Sequence, residues 1–207
     1  MKTIENVLSF ANEFEGVPYR WFINEVDSFV GDDKLWCENS PPPTADEIRQ
    51  YDKSVVCSGF TNILRRYCGL SIPGLNGNIR GKYAKLYSEC PGGTGAWFLY
   101  LYQNQRLEKF DMKKKYPKGT LLIARFKSYI EDQGHVAIVF RDDIGNTIQD
   151  QLIIHAFPSI HINSANSEKN HGSVRIEPFH ISNNLLRKEK SSYYTFVCLP
   201  ENWLFVE

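Results

Sequence analysis

The 207-residue sequence lacks several features that mark familiar classes of protein. Neither sign of charge is in excess, since Lys plus Arg and Asp plus Glu both number 24, and this excludes the basic surface of a typical nucleic-acid binder. No stretch approaches the roughly 20 apolar residues that cross a bilayer. Acidic residues interrupt every apolar run within residues 1–16, so no secretory signal is visible there. We therefore expect a cytoplasmic protein with no nucleic-acid partner and no integral membrane segment.

The cysteines exclude a further class of site. They are odd in number, and none belongs to a Cys-x-x-Cys pair of the kind that binds zinc or forms a redox dithiol; the five are Cys37, Cys57, Cys68, Cys90 and Cys198. We expect reduced thiols, no metal and no cofactor. Four of them are interpreted as packing or incidental thiols, and Cys57 is treated separately below.

What the sequence does contain is ample apolar surface for a folded core. Hydrophobic residues make up 42% of the chain and aromatic residues 14%, which argues against disorder. The length is compatible with one domain and one core, and we expect a single domain over residues 1–207.

The first half of the sequence is helical in pattern. Apolar residues at helical spacing predict a helix over 4–14, after Thr3 as a cap. Residues 24–43 are rich in Asp, Asn and Pro and predict a long loop. The Thr-x-x-Glu pattern at 44–47 is typical of a capping box and opens a short polar helix. A further helix is predicted from Cys57, ended by Gly69.

The middle of the chain is less regular, and the second half reads as strands. One short helix is predicted around 82–88, and the aromatic run 97–102 is compatible with helix or strand. From residue 120 onward, short runs rich in apolar residues are separated by turn residues, which predicts strands at 120–126, 135–141, 152–157, 173–176 and 193–198. The polar stretch 163–172 predicts an exposed loop. Helices followed by strands indicate an α+β fold.

Three residue positions suggest nucleophilic catalysis. Cys57 begins a predicted helix, whose N-terminal partial charge stabilises a thiolate. His135 opens the strand GHVAIVF, and His155 lies in the apolar run LIIHAFP, so adjacent strands would bring two imidazoles together. A cysteine nucleophile requires an imidazole partner and a third group that orients it. Cys57, His135 and His155 are therefore candidates for the nucleophile, its imidazole partner and the group that orients the imidazole.

Each of these residues also has a structural interpretation. Free cysteine is among the most buried residue types, so Cys57 taken alone is compatible with a packing role. His135 and His155 taken singly are compatible with hydrogen-bonded structural histidines. The remaining histidines, which lie in polar or linking segments, are predicted to have no chemical role; they are His161, His171 and His180.

Four segments in order resemble the NlpC-type peptidases, a circularly rearranged branch of the papain-like clan. Residues 16–21 (GVPYRW) resemble the family's Gly-x-Pro-Tyr-x-Trp motif, and residues 57–73 resemble its nucleophile helix with a trailing Gly-x-x-x-Pro. Residues 117–122 (PKGTLL) resemble the Gly-Asp-Leu strand start. The strands of His135 and His155 resemble the two histidine strands. The resemblance implies a papain-like fold with N-terminal helices packed on a central antiparallel sheet.

The sequence departs from the family pattern in several places. Val56 stands where the family has Asp before the nucleophile, and Thr120 replaces the Asp of Gly-Asp-Leu. The interval between Tyr19 and Cys57 is much longer than in the family, which predicts an insertion at about 22–52. An insertion beside the nucleophile is expected to alter the substrate pocket.

The resemblance implies a cysteine peptidase or amidase. Cys57 would attack an amide carbonyl, His135 would protonate the leaving amine, and His155 would orient His135, while Tyr19 and Ser58 would serve the oxyanion or the substrate. The expected substrate is a small peptide or a peptidoglycan fragment. A thiol acyltransferase that passes the acyl group to a lipid or amine, and an inactive binding module, are the alternatives. The sequence leaves the oligomeric state open.

Overall fold

The computed structural model describes residues 2–19, 41–50, 54–89, 91–125, 134–158, 172–188 and 194–207. Within these ranges the α-helices are Ile4–Glu13 (α1), Ala45–Gln50 (α2), Cys57–Tyr67 (α3), Ala84–Glu89 (α4), Thr94–Gln103 (α5) and Phe179–Lys188 (α6). The strands are Pro18–Tyr19 (β1), Glu108–Lys109 (β2), Leu121–Arg125 (β3), Gly134–Arg141 (β4), Leu152–Pro158 (β5), Gly172–Pro178 (β6) and Phe196–Cys198 (β7). Short 3-10 helices occur at Gly81–Tyr83, Ile148–Asp150 and Pro200–Asn202.

Side-chain caps begin the first two helices as their sequences predict. The Thr3 hydroxyl accepts a hydrogen bond from the Asn6 amide, and the Asn6 side chain in turn accepts from the Thr3 backbone. The Glu47 carboxylate accepts from the Thr44 amide at 2.7 Å, and the Thr44 hydroxyl accepts from the Glu47 amide at 3.2 Å. Each reciprocal pair satisfies amide groups that a helix start would otherwise leave unbonded.

The aromatic run that the sequence left undecided is helical. It forms the middle of α5, where Trp97 and Tyr100 are buried. The Trp97 indole donates to the Asn62 side chain of α3 at 2.8 Å, and its ring packs edge-on against Trp203. The local pattern of this segment is compatible with helix or strand, and the tertiary packing of its large aromatic side chains stabilises the helix.

The strands form one sheet in the order β1-β6-β5-β4-β3-β7-β2, and neighbouring strands pair in antiparallel orientation. Helices and an antiparallel sheet together confirm the predicted α+β class. Side chains alternate between the two faces of the sheet. One face packs against α1, α3 and α5 through residues such as Ile123, Val136 and Ile154. The other face packs Leu122, Val139 and Ile153 against Tyr194 and the start of α6.

Several elements differ from the sequence-based expectations. The segment that includes His180 was predicted to be a link but is the helix α6, which covers the second face of the sheet through Phe179. The two-residue strands β1 and β2 were not predicted, because two residues carry no alternation that a pattern could detect. The last strand is shorter than predicted and begins at Phe196.

Some expectations fall on residues outside the described ranges. These include the loop expected over most of 24–43, most of the insertion at about 22–52, and nearly all of the exposed loop at 163–172. In the described part of the chain, none of the helices combines the length and the apolar character needed to cross a membrane.

Candidate active site

Cys57 is the first residue of α3, as the sequence predicts. Val56 caps the helix in an extended conformation, and the Thr61 hydroxyl donates to the Cys57 carbonyl at 3.0 Å. The first turn of α3 carries no acidic side chain. The thiol therefore lies at the positive end of the helix dipole, although the residue is only 3% exposed.

The structure brings the two predicted histidines together. His135 lies at the start of β4 and His155 lies on the adjacent strand β5, and both side chains point to the same face of the sheet. Nε2 of His135 lies 2.8 Å from Nδ1 of His155, with the rings nearly perpendicular at 73°. His155 is fully buried and His135 is 3% exposed. The imidazoles therefore form a hydrogen-bonded pair shielded from water.

A third member of this chain was not predicted. Oε1 of Glu177, on β6, lies 2.8 Å from Nε2 of His155. Glu177 is two residues beyond Arg175, whose Cα pairs with that of His155, so the side-chain alternation of β6 places Glu177 on the same face. No local sequence signal identified it, because the predicted strand ended at residue 176 and the pairing of β6 with β5 is a property of the whole sheet.

Aromatic rings enclose the two imidazoles. The Phe157 ring stacks on His155 with centroids 5.0 Å apart and meets His135 edge-on at 4.9 Å. The Tyr194 ring lies 6.1 Å from His135. These contacts give the histidine pair an apolar surrounding, in which charged forms are disfavoured.

The surrounding sets the charge of each group. Burial lowers the pKa of His135 well below its ordinary value of 6.5, and positive charge on His155 or Arg175 lowers it further. Burial also lowers the pKa of His155, although the hydrogen bond to Glu177 partly opposes this. For Glu177, burial raises the pKa, but the hydrogen bond from His155 and the neighbouring positive charges outweigh it, so the net pKa is lowered from 4.5. At neutral pH both imidazoles are uncharged and the carboxylate is ionised.

Backbone pairings place Cys57 at the same end of the sheet as the histidine pair. Val55, two residues before Cys57, forms a parallel bridge with Tyr19. Tyr19 pairs with Gly172, and Gly172 pairs with Pro158 at the end of β5. Because β4 and β5 are antiparallel, the end of β5 lies beside the beginning of β4, where His135 is located.

The thiol and the imidazoles approach this end of the sheet from opposite faces. Cys57 belongs to the core on the helical face, whereas the imidazoles contact Phe157 and Tyr194 on the other face. Tyr194 lies near both groups, because its ring packs on His135 and because burial, followed by negative charge on Glu177 and on Cys57, raises the pKa of its phenol. A direct contact between the Cys57 sulfur and the His135 ring stays a prediction.

The two residues predicted to serve the oxyanion or the substrate lie next to Cys57. Tyr19 is 4% exposed on β1, and burial, followed by the charge of Cys57, raises the pKa of its phenol. The phenol therefore keeps its proton and can donate a hydrogen bond. Ser58 is buried in the first turn of α3. The roles of both residues stay predictions.

Two further cysteines are described, and both have the properties of packing thiols. Burial raises the pKa of Cys68 to about 11 and that of Cys198 to about 12, so neither forms a thiolate near neutral pH. Cys37 and Cys90 lie outside the described residues, as do His161 and His171. Among the residues that the structure does describe, no group of three or more His, Cys, Asp or Glu side chains is arranged to hold a metal ion.

In comparisons with known proteins, no family model matches the chain, and neither a curated protein nor a solved structure matches it. The resemblance to NlpC-type peptidases therefore rests on the order of motifs in the sequence and stays a hypothesis.

Proposed function

We propose that this chain is a cysteine hydrolase with a papain-like, NlpC-type fold, in which Cys57 is the nucleophile and His135 is its base. One observation carries the proposal. A buried chain of hydrogen bonds runs from His135 through His155 to Glu177, at the end of the sheet where the Cys57 helix begins. Thiol acyl transfer requires an oriented imidazole that reaches a thiol at a helix N-terminus, and this chain of hydrogen bonds supports the first of these two requirements.

The charges of the site favour general-base catalysis. Because burial keeps His135 neutral at rest, its ring accepts the thiol proton as the sulfur attacks a carbonyl carbon. The resulting imidazolium returns this proton to the leaving amine, and water then hydrolyses the thioester. The backbone amide of Cys57 and the Tyr19 phenol would stabilise the oxyanion. This differs from a resting thiolate–imidazolium ion pair, which a water-free surrounding disfavours.

The proposed substrate class is an amide bond in a small peptide-like molecule, such as a peptidoglycan fragment. This part of the proposal comes from the family resemblance of the motifs around Tyr19, Cys57 and His135. Phe22 and Ile23, which follow Trp21, stand where the family has glycines, and this departure concerns the choice of substrate.

Alkylation by iodoacetamide followed by peptide mapping tests the nucleophile and its base together. We expect selective labelling of Cys57 near neutral pH, abolished in Cys57→Ala and slowed about a hundredfold in His135→Ala, because a positioned base contributes on the order of 10² to 10⁴. The labelling rate should fall only below pH 6.5, since the lowered pKa of His135 keeps its ring unprotonated above that value.

The matched control is His180→Ala, which removes an exposed histidine of α6 and should leave the labelling rate unchanged. Labelling dominated by Cys37 or Cys90 would contradict the proposal. So would a Cys57 that reacts equally fast with and without the His135 imidazole, and the structural interpretation of Cys57 as a buried packing thiol would then stand.

A further inference from the structure

The hydrogen bonds of the site determine which ring nitrogen of each histidine carries the proton. An ionised carboxylate only accepts hydrogen bonds, so the contact of 2.8 Å between Glu177 Oε1 and His155 Nε2 requires a proton on that nitrogen. A neutral imidazole carries one proton, so Nδ1 of His155 is then an acceptor. The nitrogen 2.8 Å away, Nε2 of His135, must therefore be the donor.

The far side of the His135 ring carries its second nitrogen, Nδ1. A neutral ring that carries its proton on Nε2 has a free lone pair on Nδ1. That lone pair is what a base needs to accept the proton of Cys57. The opposite assignment, with the proton on Nδ1, would leave no lone pair at that nitrogen to accept a proton.

We infer that Glu177 is a positioning residue, which fixes the tautomers of His155 and His135 through two successive hydrogen bonds and so presents the lone pair of His135 Nδ1 to the nucleophile. For its catalytic consequence this inference rests on the function proposed above, but the tautomers themselves are observable without any reaction. In this role Glu177 acts through the two rings and not directly on the thiol or the substrate.

The substitution Glu177→Gln distinguishes this role from a structural one. Oε2 of Glu177 faces the Arg175 side chain, with Nε of Arg175 4.0 Å away. A glutamine of the same shape would keep its carbonyl oxygen toward that positive charge and turn its amide NH₂ toward His155. The NH₂ group donates, so His155 Nε2 must become an acceptor and both hydrogen bonds reverse. The isosteric amide should therefore invert both tautomers without changing the packing.

The experiment measures two-bond ¹H–¹⁵N correlations of ¹⁵N-histidine-labelled protein, which identify the protonated nitrogen of each ring. We expect Nε2–H on both His135 and His155 in the wild type and Nδ1–H on both in Glu177→Gln. Alkylation of Cys57 should slow at least tenfold in this variant, since an amide in place of a carboxylate behind a catalytic histidine imposes the wrong tautomer. Glu177→Asp keeps the acceptor and should restore the wild-type tautomers, whereas Glu108→Gln, on the exposed edge strand β2, should change nothing.

The outcomes test the positioning role of Glu177 and the hydrolase function separately. Unchanged tautomers in Glu177→Gln would overturn the assignment of Glu177. Inverted tautomers with slowed alkylation would support it. Inverted tautomers in Glu177→Gln, together with a wild-type Cys57 that reacts no faster than the Cys57 of His135→Ala, would leave the assignment of Glu177 standing and reject the hydrolase function.

Discussion

Tyr19 is the residue whose proposed role can be separated most cleanly from that of the histidines. Its phenol is buried beside Cys57 and stays protonated, so it can donate a hydrogen bond to an oxyanion. It takes no part in the chain of hydrogen bonds from His135 to Glu177. The nucleophile and the oxyanion donor can therefore be tested with different reagents.

We predict that Tyr19→Phe slows hydrolysis of an activated ester such as p-nitrophenyl acetate by about 10² to 10³, the effect of losing one oxyanion donor. The rate of iodoacetamide alkylation should change by less than about twofold, because that displacement develops no oxyanion. Tyr102→Phe, at a position 62% exposed on α5, is the control. Equal losses with both reagents would show that Tyr19 supports the thiol and not the oxyanion.

At the scale of elements, the start of β4 packs closely against the neighbouring strand β3 and the helix α5. A Cβ atom added to Gly134 would lie 2.4 Å from the carbonyl oxygen of Ala124 and 2.8 Å from the Thr94 methyl group of α5. The carbonyl oxygen belongs to the paired strand β3 and cannot rotate away. A glycine immediately before His135 thus allows β3, β4 and α5 to converge where the imidazole is positioned.

We predict that Gly134→Ala destabilises the protein by about 1 to 3 kcal/mol, typical of overpacking, and also slows Cys57 alkylation by displacing His135. Urea unfolding and the alkylation rate measure the two effects. Gly59→Ala is a matched control in α3, since its Cβ would meet only ordinary van der Waals contact with Val56 and should add about 0.5 to 1 kcal/mol of stability. A Gly134→Ala protein as stable and reactive as wild type would contradict the described packing.

Three of the helices could be predicted from the sequence alone. The helices after Thr3 and Thr44 and the helix from Cys57 follow from local signals, caps and apolar spacing, and the structure has them close to the predicted bounds. Side-chain contacts between neighbouring strands do not follow from such local signals. Glu177 was missed because its importance depends on strand order in the sheet, which places β6 beside β5 and is not encoded in any local pattern.

For the whole molecule, the two buried histidines make stability depend on pH. Both have lowered pKa values, so the unfolded chain binds more protons than the folded one below pH 6.5. The stabilisation is fully present above that pH and is lost as the pH falls toward the lowered values. The fold therefore weakens in mild acid, before carboxylates such as Glu177 titrate.

We predict that the free energy of unfolding falls by about 1 kcal/mol per pH unit for each histidine below pH 6.5. Urea unfolding across this range measures the slope. His135→Gln removes one titrating group and should reduce the slope. A slope that is the same in the wild type and in this variant would show that the buried histidines do not titrate in this way.

The short strand β1 joins residues that are far apart in the chain. Tyr19 contacts Gly172 on one side and Val55 on the other, so these pairings form only after the intervening segments have found their places. Closing such long loops is slow, and contacts of this range form late in folding. Cys57 would then gain its neighbours near the last step of folding. Alkylation pulses given during refolding should find this thiol reaching its native reactivity only as the native signal is completed.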